Sequence, residues 1–274
     1  LTALAVHLNF DDGTAADSSG NGNHGVLFGG VTAVNDPVRG GVLRFDGAAG
    51  SYIRIAQSDS LNTISGAITI AMWLNTNTTA VRQLIEKGGT GGAAWYTPPW
   101  GIRMEADRSL RLNWGNNVPP ALYSSPLVLN AWTHVAMVYD SSQASNQRMF
   151  YINGALDALS DWTTVPTTNS NDLFIGTDFY NSTSRWAYLG MMDDVRIYAE
   201  ALTTSEIQHI MNPPSAADIN GDGIVNLLDF GYTSAQWKTD GAFDPSADIA
   251  PDGGDGLVDM ADLIIYIEQW LMMV

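Results

Sequence analysis

Residues 67–74 read AITIAMWL, with β-branched Ile68, Thr69 and Ile70 in succession and apolar side chains at nearly every other place. Residues 132–139, WTHVAMVY, have the same character. Apolar runs of this length, rich in β-branched and aromatic residues, read as buried strands. Working outward, Met149–Ile152 and Val195–Tyr198 are strand-like too, and turn-forming stretches lie between such runs: Asp17–Gly25 (DSSGNGNHG), Asp46-Gly47 and Asn153-Gly154. Gly, Asn and Asp punctuate the chain because they tolerate turn backbones. Many short strands so separated predict a mainly β fold, a sandwich or jelly roll. One helix is predicted over Thr203–Met211, where Thr203 and Glu206 have capping-box spacing and Ile207 and Ile210 supply an apolar edge.

The 274 residues are 45% hydrophobic, enough for a sizeable core, and carry a net charge of −17. That balance excludes nucleic acid as a partner, since phosphate binding needs a basic surface. It also argues against anionic membranes and favours oxygen-ligated cations. The absence of cysteine excludes disulfides and thiolate metal sites. No apolar run reaches the roughly 20 residues that span a bilayer, so no membrane insertion is expected. The chain opens at Leu1 without a leader, and is expected to be a processed or excised segment of a longer secreted or cell-surface precursor.

Charge divides the chain. Residues 213–274 hold eleven acids against Lys238 alone, whereas the first 212 hold eighteen acids and eleven bases. The change falls at Asn212-Pro213-Pro214-Ser215, where paired prolines end a helix and stiffen the connection. The expected organisation is a β module over 1–212, a proline-rich linker over 213–217 and a small module over 218–274. The small module repeats itself: Asp222-Gly223, Val225, Asn226, Asp229, Phe230, Gln236 and Trp237 recur 33 residues later as Asp255-Gly256, Val258, Asp259, Asp262, Leu263, Gln269 and Trp270.

Each copy has the spacing of a calcium loop. In the first, Asp218, Asn220, Asp222, Asn226 and Asp229 place oxygens at loop positions 1, 3, 5, 9 and 12, glycine allows the sharp turn at position 6, and Ile224 offers its carbonyl at position 7. The second keeps Asp255, Leu257 (carbonyl), Asp259 and Asp262, but its entry is three residues longer. Asp248 reaches an ion only if that insertion bulges outward, with Asp252 replacing the position-3 ligand. The alternative is a degenerate loop that folds without metal. Each loop is followed by one helix. Duplicated loops of this kind, with Asp at position 12, resemble dockerin type I modules over residues 216–273. The resemblance implies two calcium ions and a cohesin-like protein partner. The positions that would face it, Leu227, Leu228, Met260 and Ala261, are apolar here, and an intramolecular contact with the β module is the alternative.

Three stretches of the β module, Leu8–Gly25, Trp132–Tyr139 with Phe150–Gly154 (FYING), and Gly190–Leu202 (GMMDDVRIYAEAL), resemble the laminin-G-like/concanavalin-A-like family. The implied fold is a jelly-roll sandwich of two antiparallel sheets, one curved into a groove. The resemblance also implies one structural calcium near the junction of first and last strands. Asp17 and Asp193 match, Asp46 is a third candidate, and residues 21–24 could add carbonyls; hydrogen bonding of these carboxylates within turns is the alternative.

Lectin-type sites stack aromatic rings on sugars and hold hydroxyls with nearby polar groups. The candidate is the loop Gly88–Gly101 (GGTGGAAWYTPPWG), with Trp95, Tyr96 and Trp100, joined by Trp114, Arg185 and Trp186 from other turn-like segments. The alternative is that these rings merely cover the ends of the sandwich. Trp73 and Trp132 lie in strands and are expected in the core. No strand carries the alternating carboxylates of a glycosidase, and His7, His24, His134 and His209 are dispersed; Glu86 and Glu105 are the carboxylates worth testing. The expected function is therefore a non-catalytic carbohydrate-binding module with a calcium-dependent tail, from a bacterial polysaccharide-processing or cell-surface protein. An adhesive protein-binding module is the alternative, and a polysaccharide lyase or glycosidase a distant third.

Overall fold

The computed structural model describes residues 3–88, 99–113, 121–166, 168–180, 183–212, 217, 219, 227–239, 246–250 and 254–271. The chain divides into two compact units, Leu1–Met211 and Asn212–Val274.

In the first unit the described residues form strands β1 (Leu4–Leu8), β2 (Gly25–Phe28), β3 (Thr32–Asp36), β4 (Gly40–Asp46), β5 (Tyr52–Ile55), β6 (Ala67–Thr76), β7 (Arg82–Lys87) and β8 (Trp100–Met104). They continue with β9 (Leu110–Asn113), β10 (Thr133–Asp140), β11 (Arg148–Ile152), β12 (Ala155–Ser160), β13 (Leu173–Ile175), β14 (Asp178–Tyr180), β15 (Thr183–Arg185) and β16 (Leu189–Tyr198). A short helix, α1 (Asp59–Asn62), and a longer one, α2 (Thr204–Met211), complete the unit. An eight-stranded sheet has the order β12-β11-β10-β6-β16-β4-β3, with β1 also pairing β16; a six-stranded sheet has the order β2-β5-β13-β7-β8-β9; β14 and β15 form a small hairpin. The pairings are antiparallel.

Alternation decides which side chains meet between the sheets. From β6, Ile68, Ile70, Met72 and Leu74 face inward; β10 adds Val135, Met137 and Tyr139; β5, β8 and β13 of the other sheet add Ile53, Ile55, Ile102, Met104, Leu173 and Ile175. All are buried at 1% exposure or less, and each such side chain contributes roughly 1.5–3 kcal/mol of burial. The intervening residues of the eight-stranded sheet, Ala71, Ala136, Val138, Tyr151 and Tyr198, form a second apolar layer with Leu202, Ile207 and Ile210, so α2 covers that sheet's outer face. The capping box of this helix is made: Thr203 N–H donates to Glu206 Oε2, and Glu206 N–H to Thr203 Oγ1. Between β11 and β12, Asn153 and Gly154 both have positive φ (49° and 73°), the backbone of a tight hairpin turn.

In the second unit α3 (Leu227–Ala235) and α4 (Met260–Leu271) begin with Asp229 and Asp262 in equivalent first turns, both fully buried. Phe230 and Tyr266 pack with ring centroids 5.6 Å apart, and two small apolar clusters form around Ala217 with Tyr266 and around Ile219, Ala247 and Val258. No helix of the described residues is long and apolar enough to cross a membrane.

Candidate functional site

The outer face of the six-stranded sheet gathers the most chemistry. Strand register places Val26, Arg54, Phe174, Glu86, Gly101 and Asn113 in one row across it, and pairs Gln83 with Arg103 and Arg103 with Arg111. At the β2 end the face is aromatic: Phe28 stacks on Tyr52 at 4.8 Å, and Tyr52 meets Phe174 edge-on at 5.8 Å. At the β9 end it is charged. Arg103 reaches Glu105 at 2.5 Å, and Arg111 lies 3.8 Å from the same oxygen. Arg185 forks onto Asp178 with bonds of 2.9 and 2.7 Å.

Trp186 stands beside these groups, 37% exposed. The Arg103 and Arg185 guanidiniums lie 4.9 and 4.7 Å from its ring, and its carbonyl accepts the Gln83 N–H at 2.8 Å. Its φ of 49° is a strained backbone for a bulky residue, held by those neighbours.

Glu86 is the unusual member. It is fully buried, and among the described residues neither of its carboxylate oxygens has a hydrogen-bond partner. Burial, reinforced by Asp178, pushes its pKa well above the usual carboxylate range, against the pull of Arg185 and Arg103. Its room comes from Gly101: a Cβ there would sit 3.2 Å from Glu86 Cγ, 3.3 Å from Gln83 Nε2 and 2.8 Å from the Ile85 carbonyl. Lys87, next in β7, is also buried, and its ammonium is held by the side chain of Asn62 and the backbone carbonyl of Asn171. Burial lowers its pKa to about 8.

Of the aromatic loop predicted from sequence, Trp95 and Tyr96 lie outside the described residues, as does Trp114. Register nonetheless sets the ends of their segments side by side, since Lys87 pairs with Trp100 and Gly101 with Asn113. Trp100 corrects the expectation. It opens β8 with its ring inside the sandwich at 1% exposure, so it packs the core rather than offering a sugar platform. Arg185 and Trp186, neighbours in sequence, stand beside Arg103. Arg103, Arg111 and Asp178 were not singled out in the sequence, where nothing distinguishes them from ordinary alternating strand residues.

The carboxylates expected around a metal in the β module are satisfied separately. Burial alone would raise the pKa of Asp17, but N–H donors from His7, Ser19 and Asn23 hold it below its ordinary value. Asp46 is lowered by bonds from the Ser51 side chain and the Ala48 N–H. Asp193 pairs with Arg39 at 2.5 Å, although burial still pushes its pKa up to about 6. Among the described residues no three His, Asp or Glu side chains are gathered as a metal requires. Turn hydrogen bonds and one arginine therefore do the work assigned to a cation at Asp17, Asp46 and Asp193. Trp73 and Trp132 also depart from expectation: both are half-buried and flank Arg39, at 4.2 and 5.8 Å, outside the main core. Asp46 instead borders a cavity of about 520 Å³ with Arg44, Asn75, Asn77, Asn130 and Met191. That cavity offers hydrogen bonds but no exposed ring.

In the tail, Asp218, Asn220, Asp222, Ile224, Asn226 and Asp252 lie outside the described residues. In the second loop Asp248 does span the insertion, accepting the N–H groups of Asp255 and Gly256, each at 2.9 Å. Asp255 and Asp259 bond to the N–H groups of Leu257 and Ala261. Asp262 accepts from Ile249, Ala250 and Asp259. These carboxylates accept main-chain N–H groups of their own loop, and Asp252 of the same set lies outside the described residues.

Residues 46–208 match the family model of the laminin-G type described as the concanavalin A-like lectin/glucanases superfamily. No curated protein matches the sequence. Among solved structures the chain is similar to domain 4 of AbnA, an extracellular arabinanase from Geobacillus stearothermophilus in complex with arabinotriose, at 19% identity and a TM-score of 0.57, covering 76% of this chain and 98% of that one. It is also similar to a sialidase carbohydrate-binding module from Ruminococcus gnavus bound to α2,3 sialyllactose, at 14% identity and a TM-score of 0.53, covering 62% and 96%. A third similar structure is the binding domain of Paraclostridial Mosquitocidal Protein 1, at 19% identity and a TM-score of 0.60, covering 77% of this chain and 52% of that one. The chain thus spans about half the length of that last protein.

Proposed function

The chain belongs to the concanavalin A-like lectin/glucanases superfamily, and from that premise we propose that it is a secreted or cell-surface, non-catalytic carbohydrate-binding protein. Its β module holds a glycan on the outer face of the six-stranded sheet beside Trp186. The observation that carries this reading is an exposed tryptophan, strained in backbone and braced by Arg103 and Arg185, on a face lined with hydrogen-bonding side chains. Rings of this kind supply apolar area to sugars at little entropic cost. The similar structures solved with arabinotriose and sialyllactose support the same class of ligand.

The described carboxylates of this face support binding without turnover. Glycoside hydrolysis needs two carboxyl groups free to reach one bond, whereas Glu105 and Asp178 are engaged by arginines and Glu86 is sealed. The tail anchors the module, with calcium held by the complete ligand set of the first loop. A second reading, adhesion through a protein partner of the tail, is favoured by Leu227, Leu228 and Met260, exposed at 68%, 63% and 59%.

The test is a glycan panel on the whole chain in excess calcium, scored for retention and for released product. Retention without product, weakened roughly tenfold (about 1.4 kcal/mol) by Trp186→Ala, is the expected result. Product release overturns the non-catalytic reading, and retention unaffected by Trp186→Ala overturns the site.

A further inference from the structure

We propose that the face beside Trp186 takes a sugar bearing a carboxylate, recognised through Arg103 and its neighbouring guanidiniums. This rests on the glycan-binding reading above and narrows its ligand. The chain has net charge −17 and only twelve basic side chains, yet three arginines (103, 111 and 185) converge on this patch. Arg103 and Arg111 are direct cross-strand partners, an arrangement that like-charge repulsion disfavours. Both lean on the single carboxylate of Glu105, while Asp178 is occupied by Arg185.

The remaining described acid of the patch, Glu86, lies buried with neither oxygen bonded to a described residue. Burial and the nearby Asp178 favour its neutral form, so it does not cancel the surplus positive charge. Residues 89–98, 114–120 and 181–182 contain no Asp or Glu. Among the described residues the patch therefore carries the guanidiniums of Arg103, Arg111 and Arg185 against the carboxyl groups of Glu105 and Asp178 in an acidic protein. A neutral sugar presents hydroxyls, which do not compensate a guanidinium pair. A sugar carboxylate does, accepting a charge-assisted hydrogen bond from a guanidinium N–H while its ring lies by Trp186.

The experiment uses the whole chain against matched polymers: polygalacturonate, alginate and hyaluronate, each beside its carboxyl-reduced form. The acidic protein repels polyanions at long range, so nonspecific electrostatics works against the expected result. At least one acidic member should bind about tenfold or more tighter than its reduced counterpart. Arg103→Gln should erase that preference, with Arg111→Gln giving the same reading should the first variant not fold. Equal binding of both members, or binding of reduced members alone, overturns this inference and leaves the glycan-binding proposal standing. Failure to retain any acidic or neutral glycan overturns both.

Discussion

Replacing Glu86 by glutamine keeps the side chain's shape and removes its one titratable proton, so the variant isolates what that proton does to stability. In the folded protein burial, with Asp178 nearby, raises the pKa, whereas the unfolded chain gives up the proton near the ordinary value of 4.5. Above that value the native state holds one proton more than the unfolded state. Stability then falls with rising pH by about 1.4 kcal/mol per unit until Glu86 ionises in place. The amide variant has no such slope. Any cost of its extra N–H₂ is the same at every pH, and contributions from other groups such as Asp193 cancel in the difference. Urea unfolding of the β unit, followed by tryptophan fluorescence between about pH 5 and pH 6.5, should therefore show Glu86→Gln gaining roughly 1.4 kcal/mol on the parent for each pH unit. A stability difference that stays flat over that range would refute the reasoning, because it would mean that Glu86 ionises in the fold as readily as in the unfolded chain.

His134 is buried at 2% exposure, and desolvation lowers its pKa to about 4. Its ring resonances should titrate near that value, and its neutrality should cost the fold roughly 3 kcal/mol as pH falls from 6.5 to 4; a midpoint near 6.5 contradicts this. Gly101→Ala should destabilise the β unit by about 1–3 kcal/mol, since its methyl would lie 2.8 Å from the Ile85 carbonyl; thermal unfolding measures it, and an unchanged midpoint counts against the packing described. In the tail, calcium should raise the unfolding midpoint of the parent and of Asp255→Ala but not of Asp222→Ala, because only the first loop keeps a complete ligand set. Equal loss of the calcium effect in both variants would place a cation in the second loop as well.

Much of the fold is legible in the sequence because burial of a strand writes itself into consecutive residues. The runs at 67–74, 133–139, 149–152 and 195–198 lie in β6, β10, β11 and β16, with Trp132 just before β10, and the capping box at Thr203 and Glu206 forms as spaced. The site is less legible, because it depends on register between distant segments. Glu86, Arg103 and Trp186 meet only once β7 pairs with β8 and the residues after β15 return beside Gln83. Trp100 shows the converse: a glycine- and proline-rich setting reads as an exposed loop, yet the strand starts at this residue and alternation turns the ring inward. Asp17, Asp46 and Asp193 sit where a cation would be useful, but sequence cannot say that backbone N–H groups and Arg39 arrive first.

The pairing of β1 with β16 bears on how the module responds to force. Leu4 lies opposite Tyr198, and Ala199 N–H donates to the Ala3 carbonyl at 2.8 Å, so the first and last strands of the β unit end at one corner, while the chain runs on through α2, where Gln208 donates to the Gly154 carbonyl, before it leaves the unit. Tension applied through flanking segments would first load α2 and its packing on the sheet, and would reach the hydrogen bonds of that corner, which open one after another as in a zipper, only once the helix is pulled away. Tethered between a surface and a polymer by its two ends, the unit should therefore shed α2 before β1 and β16 part. Attached through its outer sheet face and only one end, the same unit should hold far longer.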